Sequence, residues 1–399
     1  MWLMKFIFYN KNNNVMDELI DKLYAIIKDY RKQDGDFMSK EIIEKWINQF
    51  DEGDRVFLLT ELILILEKRY ITRDHFKEYL KTTFFRDIKN VMNEKFGNED
   101  IKQILSRSHF INHQPEGKSQ KEIIKLFEEV INDELEMTLA DCEKDTPLCF
   151  IYLDDILCTG DTIFKGIAEK EGWLNKKTID KEKTNRMYLE ENNIPLFIVF
   201  YSIHTFNRFK LDSRIGYAQK GHKIQIWYFW QDEHEIDNNY NDATSKLQYI
   251  YPAEDTDLLI LNCKKQIEDK IDKYCKENEY KIPESHFFRS KESPKEETLF
   301  SSPENRDRFE TIILKKSIEI YNKANSSELR MRPLGYGLNT DKSFGYGTLL
   351  FSWRNVPFNT PLVFWYEHKG WSPLFHRKWS TYKTPLTKIL EFIRIKPKS

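Results

Sequence analysis

The chain has 399 residues, 40% of them hydrophobic and 32% charged, a composition that excludes a disordered protein and allows two or three folded domains. Its 62 basic residues nearly balance 64 acidic ones, which excludes an overall positive field that would favour nucleic acid. No apolar run approaches the roughly 18 residues of a membrane span. Five cysteines without a C-x-x-C pair disfavour a zinc site or a disulfide framework, and we expect a cytoplasmic protein.

Residues 1–100 carry apolar side chains at helical spacing and are predicted to form a helical N-terminal region. Thr72 is predicted to cap one of these helices, which ends near Gly97. Apolar stripes of this kind are typical of helices that face a core rather than of cofactor sites.

Residues 101–282 change to short apolar runs that alternate with helical stretches. The runs are rich in β-branched and aromatic residues, as expected of strands, and they cover residues 148–153, 194–203 and 223–230. Helices are predicted between them, at residues 163–171 and 205–220. This alternation indicates an α/β domain with a parallel sheet and crossover helices.

The remainder of the chain is predicted to be a linker and a C-terminal region. Residues 283–307 are polar and contain three prolines, which is typical of a linker. Residues 308–399 begin with a helical pattern and continue as short strands and turns dense in glycine, proline and aromatic residues. We expect this region to complete or cover a site on the α/β domain.

The segment LCFIYLDDILCTGDTIFKG, residues 148–166, joins an aspartate pair to a turn suited to an anion. Ligands of open parallel sheets bind at the carboxyl ends of the strands, where Asp154 and Asp155 follow the apolar run. Gly160 permits a left-handed backbone, and the helix-start amides with the hydroxyls of Thr159 and Thr162 form a cradle for phosphate. A phosphate close to two carboxylates suits a sugar phosphate.

The order of strand, Asp-Asp, three residues and Thr-Gly-x-Thr resembles the phosphoribosyl pyrophosphate (PRPP) motif of type I phosphoribosyltransferases at every defining position. The resemblance implies a type I phosphoribosyltransferase-like sheet in which Asp154 and Asp155 meet the ribose hydroxyls. It implies that these acids contact Mg²⁺ only through a metal-bound ligand. The loop that would hold the 5′-phosphate consists of Cys158, Thr159, Gly160, Asp161 and Thr162. Asp161 is awkward beside a phosphate and is expected to point outward.

Simpler interpretations of the same segment remain. An aspartate pair at a strand end occurs by chance, and Thr-Gly-Asp-Thr is also a plausible helix cap. A haloacid dehalogenase fits less well, because its nucleophilic motif is Asp-x-Asp whereas Asp154 and Asp155 are adjacent.

A phosphoribosyltransferase also needs a loop for pyrophosphate, and the candidate is HQPEGKSQKEI, residues 113–123. Gly117, Lys118 and Ser119 open a predicted helix there, where the lysine and the first amides can hold a diphosphate with Mg²⁺. An ordinary surface loop with a serine cap explains the same residues equally well. His204 is predicted near the crevice, although a lone histidine at a strand end is more often structural.

Taken over most of its length, the chain resembles the phosphoribosyltransferase-like family of bacterial conflict systems, found in antiphage defence and with some retrons. The resemblance rests on IIEKWINQFDEGDR, LDDILCTGDT, RPLGYG, SFGYG, NVPFNTPLVFW and WSPLFHR. In the tail, the residues that would close over the ribosyl site or bind its acceptor are Arg332, Asn355, Asn359, Trp365, Trp371 and Arg377. A packing layer is the alternative, above all for the tryptophans.

The resemblance implies a toxic effector that binds PRPP or a related ribosyl phosphate and transfers or hydrolyses it with Mg²⁺. Its implied partner is a defence-system protein, such as a reverse transcriptase or a DNA-binding protein, with nucleic acid bound only through that partner. A homo-oligomer is left open, and no membrane is expected. The alternative function is a catalytically silent module that senses PRPP or a nucleotide and docks a partner protein.

Overall fold

A computed structural model gives the fold. It describes residues 2–35, 37–97, 99–114, 119–143, 146–219, 221, 223–231, 234–237, 246–290, 292–324 and 326–377, with side chains from residue 14 onward. Within these ranges, no helix combines the length and the apolar character that crossing a membrane requires.

Helices dominate the first third of the chain and recur between the strands. In the first third they are Trp2–Ile27 (α1), Lys40–Ile47 (α2), Glu52–Arg69 (α3), Arg73–Tyr79 (α4), Phe85–Phe96 (α5), Ile101–Ser106 (α6) and Ser119–Leu135 (α7). The later helices are Leu139–Cys142 (α8), Asp161–Ile163 (α9), Asn185–Glu191 (α10), Thr205–Ala218 (α11), Leu258–Glu277 (α12), Pro303–Ala324 (α13) and Leu362–Trp365 (α14). A π-helical turn at Leu80–Phe84 joins α4 to α5, and another at Phe164–Ala168 continues α9.

All the paired strands run parallel. They are Tyr70–Ile71 (β1), Ser108–Phe110 (β2), Cys149–Leu153 (β3), Ile156–Leu157 (β4), Leu196–Val199 (β5), Ser202–His204 (β6), Ile226–Phe229 (β7), Glu235–Ile236 (β8) and Phe351–Ser352 (β9). The central sheet has the order β2-β3-β5-β7, beyond which β4, β6 and β8 form a short second sheet. β1 pairs with β9, which connects the N-terminal region to the C-terminal one.

The central strands β3 and β5 are buried along their whole length, because helices cover both faces of the sheet. Alternate side chains enter opposite cores. Ile151 and Phe197 pack in the core under α4 to α7, whereas Tyr152 and Ile198 pack against α10 and α11. This architecture confirms the predicted α/β class, with the helical N-terminal region before it and the aromatic-rich region after it.

A third core joins distant parts of the chain. Helices α1 to α3 pack against α12, α13 and the aromatic C-terminal region, and Trp46 stacks on Phe364. The predicted N-terminal region therefore contributes to two cores: α1 to α3 pack in the third core, whereas α4 and α5 belong to the core of the sheet.

Residues 283–307 differ from a solvated linker. Phe287, Leu299 and Phe300 are buried in the third core, and α13 already begins at Pro303. The prediction of a linker was wrong because polar composition does not show that Arg289 and Arg306 are buried and paired with acidic side chains inside the protein.

Some element boundaries also differ from the predictions. The run 194–203 is divided between β5 and β6, the helix expected over 163–171 ends at Ala168, and the apolar run at Leu362–Trp365 is a short helix. Short apolar runs do not distinguish a strand from a buried helix by their pattern alone.

Candidate functional site

A cleft of about 870 Å³ opens at the carboxyl end of β3. Asp154, Asp155 and the turn of residues 158–162 line it, so the structure brings these predicted site residues together. Its other walls come from distant segments and include His113, Gln114, Ser119, Arg31, Arg330, Tyr336, Arg354, Asn355, Phe358, Asn359 and Arg377.

Asp154 is buried and its carboxylate already accepts several hydrogen bonds from the protein. Its Oδ1 accepts from the Ser119 hydroxyl at 2.8 Å and from the Asp155 amide at 3.0 Å. Its Oδ2 accepts from Gln114 Nε2 at 3.0 Å and from the Tyr152 hydroxyl at 3.3 Å. Burial raises the pKa of Asp154, and these donors oppose that rise. Asp154 is therefore held toward the segment that follows β2.

Asp155 is half-buried and has the more open carboxylate of the pair. Its Oδ1 accepts from the Ile156 amide at 2.9 Å, while its main-chain carbonyl accepts from the Tyr201 amide at 3.0 Å. Burial, followed by the charge of Asp154, raises the pKa of Asp155 to about 8. The two acids do not both ionise readily at neutral pH without a ligand or cation nearby.

The turn after β4 has the backbone that its glycine predicts. Gly160 has a φ of +73°, and its main-chain carbonyl accepts from the Phe164 amide at 2.9 Å. Asp161 Oδ1 accepts from Arg214 on α11 at 2.7 Å, and its Oδ2 lies 3.8 Å from Arg330. Two arginines thus compensate the charge of Asp161, which lines the cleft, and its outward orientation stays a prediction. The first amides of the following helical turn have no intrahelical partners and are suited to an anion.

The segment after β2 is fixed to the start of α7. Gln120 Oε1 accepts from the amides of His113 and Gln114 at 2.9 and 2.8 Å, and its Nε2 donates to the Ile111 carbonyl at 3.0 Å. Ser119, the first residue of α7, donates its hydroxyl to Asp154. Gly117 and Lys118, which were predicted to contact pyrophosphate, lie outside the described residues.

Three arginines from the two ends of the chain form another wall of the cleft. Arg31 and Arg354 both contact the Asp34 carboxylate, and the Arg31 amide donates to the Trp353 carbonyl at 2.7 Å. Arg377 donates to the Val356 carbonyl. Burial lowers the pKa of Arg377 to about 10, while the nearby Asp155 carboxylate opposes that change.

Four planar side chains form a stack along the same wall. Arg377 lies 3.6 Å from the centroid of the Phe358 ring, and Phe358 stacks on Tyr336 at 5.3 Å. Arg330 lies 5.9 Å from the Tyr336 centroid. The stack of Arg377, Phe358, Tyr336 and Arg330 thereby links the arginine wall to Asp161.

Several predicted residues do not reach the cleft or have no free polar group there. His204 is buried beside Thr348, with 3.1 Å between Nε2 and Oγ1, and burial lowers its pKa to about 3. Arg332 is buried and donates to main-chain carbonyls, among them that of Met331 at 2.9 Å. Trp365 and Trp371 are buried and donate to the carbonyls of Thr360 and Val363 at 2.6 and 3.2 Å.

The remaining predicted residues line the cleft with little chemistry of their own. Cys158 is buried, and burial raises its thiol pKa well above its usual range, which disfavours a reactive thiolate. Asn355 lines the cleft, and Asn359 donates to the Tyr336 carbonyl at 2.6 Å and supports the stack. All five cysteines are free and buried.

Sequence reasoning missed Gln114, Arg31, Arg354 and Arg330. Gln114 lies inside the predicted loop, where an amide side chain next to a strand end was a usable signal. Arg354 directly precedes the quoted NVPFNTPLVFW segment. Arg31 gives no local signal, because only long-range packing brings it to the cleft.

The parallel sheet, the acid pair after its second strand and the glycine turn define a phosphoribosyltransferase-like α/β protein. The chain matches the family model PRTase-CE over residues 43–377, and it belongs to that family. No curated protein and no solved structure matches the chain.

Proposed function

We propose that the protein binds PRPP, or a related ribosyl phosphate, in the cleft at the end of β3 and transfers or hydrolyses it. The ribose hydroxyls bind at Asp154 and Asp155, and the 5′-phosphate binds at the turn of residues 158–162. The observation that carries the proposal is the shared cleft, in which an acid pair lies beside the left-handed Gly160 turn. A phosphate bound by helix-start amides and a ribose bound by carboxylates fit this pairing.

Mg²⁺ fits the cleft only as an ion that is bound to the diphosphate of the substrate. The described residues contain no group of three His, Cys, Asp or Glu side chains arranged to hold a metal ion, and Asp154 is occupied by protein donors. Mg²⁺ commonly binds one or two carboxylates together with substrate phosphates. The donor's diphosphate would hold the ion, Asp154 and Asp155 would contact it only through that ligand, and the ion would neutralise the leaving group.

The proposed reaction moves the ribosyl group from diphosphate to an acceptor or to water. The bond from the anomeric carbon to the diphosphate oxygen breaks with its electron pair, a bond to the nucleophile forms, and the nucleophile loses a proton. Positive charge develops on the sugar ring, where the nearby Asp155 carboxylate stabilises it. Besides binding a ribose hydroxyl, Asp154 holds the segment after β2 next to the sugar through Ser119 and Gln114.

A silent sensing module is the second candidate, and one observation favours it. Both oxygens of Asp154 are engaged by Ser119, Gln114, Tyr152 and the Asp155 amide, so a ribose must displace one of these donors. An acid engaged in this way is poorly placed to assist a reaction, which suits a module that senses the ligand without turning it over and docks a partner protein.

Turnover separates the two candidates. The full chain is incubated with PRPP, Mg²⁺ and a pool of nucleotides and bases, and pyrophosphate release is followed. We expect release by the natural protein and none by the Asp154→Asn/Asp155→Asn double variant, with the folded state confirmed by circular dichroism. Asp180→Asn, which changes a partly exposed aspartate outside the cleft, is the matched control.

Calorimetric titration with PRPP completes the test. Binding without turnover would support the sensing module, whereas unchanged turnover in the double variant would show that the acid pair has no role. Absence of PRPP binding by the natural protein would reject both candidates.

We also propose a role as a toxic effector in antiphage defence, supported by the resemblance to phosphoribosyltransferase-like proteins of conflict systems. Induced expression should then slow growth of the host cell, and the double variant should not. Equal toxicity of both proteins would contradict an effect that depends on this site.

A further inference from the structure

The two acids of the cleft are turned toward different segments. Asp154 contacts Ser119 and Gln114, next to the loop predicted to hold pyrophosphate. Asp155 instead lines a small cavity together with Ser352 and Asn355, the residue that follows Arg354. In a displacement at the anomeric carbon, the acceptor approaches the face opposite the leaving group. Diphosphate on the Asp154 side therefore leaves the Asp155 side to the acceptor.

The Asp155 side is the arginine wall. Arg31, Arg354 and Arg377 all line the cleft, and all three lie close enough to Tyr30 to favour its ionised form. Gathering three like charges in a partly desolvated wall is unfavourable unless anions compensate them, and one protein carboxylate compensates only part of this charge. Arg31 and Arg354 share the Asp34 carboxylate. Within the described part of the chain, Arg377 forms no ion pair and uses one nitrogen on the Val356 carbonyl.

The stack behind Arg377 fixes the orientation of this group. Phe358 lies against the flat face of its guanidinium, with Tyr336 behind Phe358. A guanidinium held by its face keeps its N–H edges for hydrogen bonds, and two such edges match the oxygens of a phosphate. The stack therefore holds the Arg377 guanidinium in an orientation from which it can donate hydrogen bonds to a phosphate.

We infer that the acceptor carries a phosphate group, as a nucleotide does, and that Arg31, Arg354 and Arg377 bind this group. The inference rests on the proposed function, since it assigns the second reactant of the same cleft. The arginine wall then selects a phosphorylated acceptor over its neutral counterpart and over water.

The inference is tested by calorimetry in the presence of a saturating concentration of ribose 5-phosphate. Four probes are titrated into the full chain: inorganic phosphate, diphosphate, the common nucleoside 5′-monophosphates and the matching nucleosides. We expect phosphate to bind and at least one monophosphate to bind about tenfold or more tightly than its nucleoside. Arg354→Gln and Arg377→Gln should each remove this advantage.

Arg308→Gln is the matched control, because Arg308 is half-exposed and pairs with Asp54 outside the cleft. Thermal unfolding shows whether each variant is folded, and Arg354→Lys should recover part of the lost affinity. Equal affinity for nucleotides and nucleosides, or no phosphate binding that depends on Arg354, would overturn the inference. Dependence of diphosphate binding alone on Arg354 would overturn it too, since the wall would then serve the leaving group.

Different results of this experiment would contradict the proposed function and the inference about the acceptor. If ribose 5-phosphate does not bind to the natural protein, the ribosyl site itself is absent. If it binds and the acceptor probes show no phosphate preference, only the anionic acceptor is excluded.

Discussion

Gly160 occupies the position where the chain turns from β4 into α9, with a φ of +73°. A Cβ at this position would be strained by the backbone and would lie 3.2 Å from Leu211 Cβ. We expect Gly160→Ala to lower the free energy of unfolding by about 1–2 kcal/mol and to weaken ribose 5-phosphate binding. Chemical denaturation and calorimetry measure the two effects.

Gly53→Ala is the control for this glycine, because Gly53 lies in α3 with open space around it. That variant should gain up to about 1 kcal/mol, since alanine favours a helix. The turn would have no special backbone role if the two variants behaved alike.

The protonation of Asp155 should make the free energy of unfolding depend on pH. Its pKa is about 8 in the folded protein against an ordinary value of 3.8, so the folded protein binds a proton that the unfolded chain has lost between these values. The free energy of unfolding of the unliganded protein should therefore fall as pH rises from about 4 to 8. Asp155→Asn should flatten this dependence and be more stable than the natural protein at pH 8.

Denaturation at a series of pH values measures this slope. Asp180→Asn should keep the natural slope above pH 5, because backbone hydrogen bonds lower the pKa of Asp180 rather than raise it. An unchanged slope in Asp155→Asn would show that Asp155 titrates normally.

Helix α4 shows an element that local sequence largely determines. Thr72 Oγ1 accepts from the His75 amide at 3.1 Å, as its predicted role as a cap requires. The helix carries Phe76, which stacks on Tyr201 near the cleft at 5.2 Å. Thr72→Ala should cost about 1 kcal/mol in chemical denaturation.

Thr60→Ala is the matched threonine, since Thr60 is exposed within α3 and donates only to the Val56 carbonyl. Its stability should be unchanged or slightly higher. Equal losses in the two variants would mean that the cap contributes nothing beyond the side chain itself.

Among the elements, the sequence predicted those features that depend on residues close together in the chain. The strand β3, the acid pair and the Gly160 turn follow from apolar runs and from one glycine, whose effects act over a few residues. Arg31 and Arg354 were not predictable in this way, because they reach the cleft through packing between the two ends of the chain. His204 and Arg332 had suitable chemistry, but burial turned both toward the protein interior.

A buried charge network joins the predicted linker to α13 at the scale of the whole molecule. Glu310 is fully buried and lies 3.1 Å from Arg306 and 3.3 Å from Arg289, while Arg306 also pairs with Glu297. Glu310→Ala leaves the two arginines without this compensation and should cost about 3–5 kcal/mol. Urea denaturation, or loss of the folded protein on expression, would report it.

Asp54→Ala breaks the more exposed pair with Arg308 and should cost less than about 1 kcal/mol. If Glu310→Ala lowered the free energy of unfolding as little as Asp54→Ala does, the predicted linker would contribute little to the stability of the fold.

The arginine wall brings residues 31 and 377 to one cleft. Because a ribosome delivers the chain from its N-terminus, the acid pair and the glycine turn emerge long before Arg377 does. A nascent chain that ends before residue 377 contains the acid pair and the glycine turn but lacks the last guanidinium of the wall. For a protein proposed to consume a central metabolite, this order of synthesis delays a complete site until residue 377 has been made.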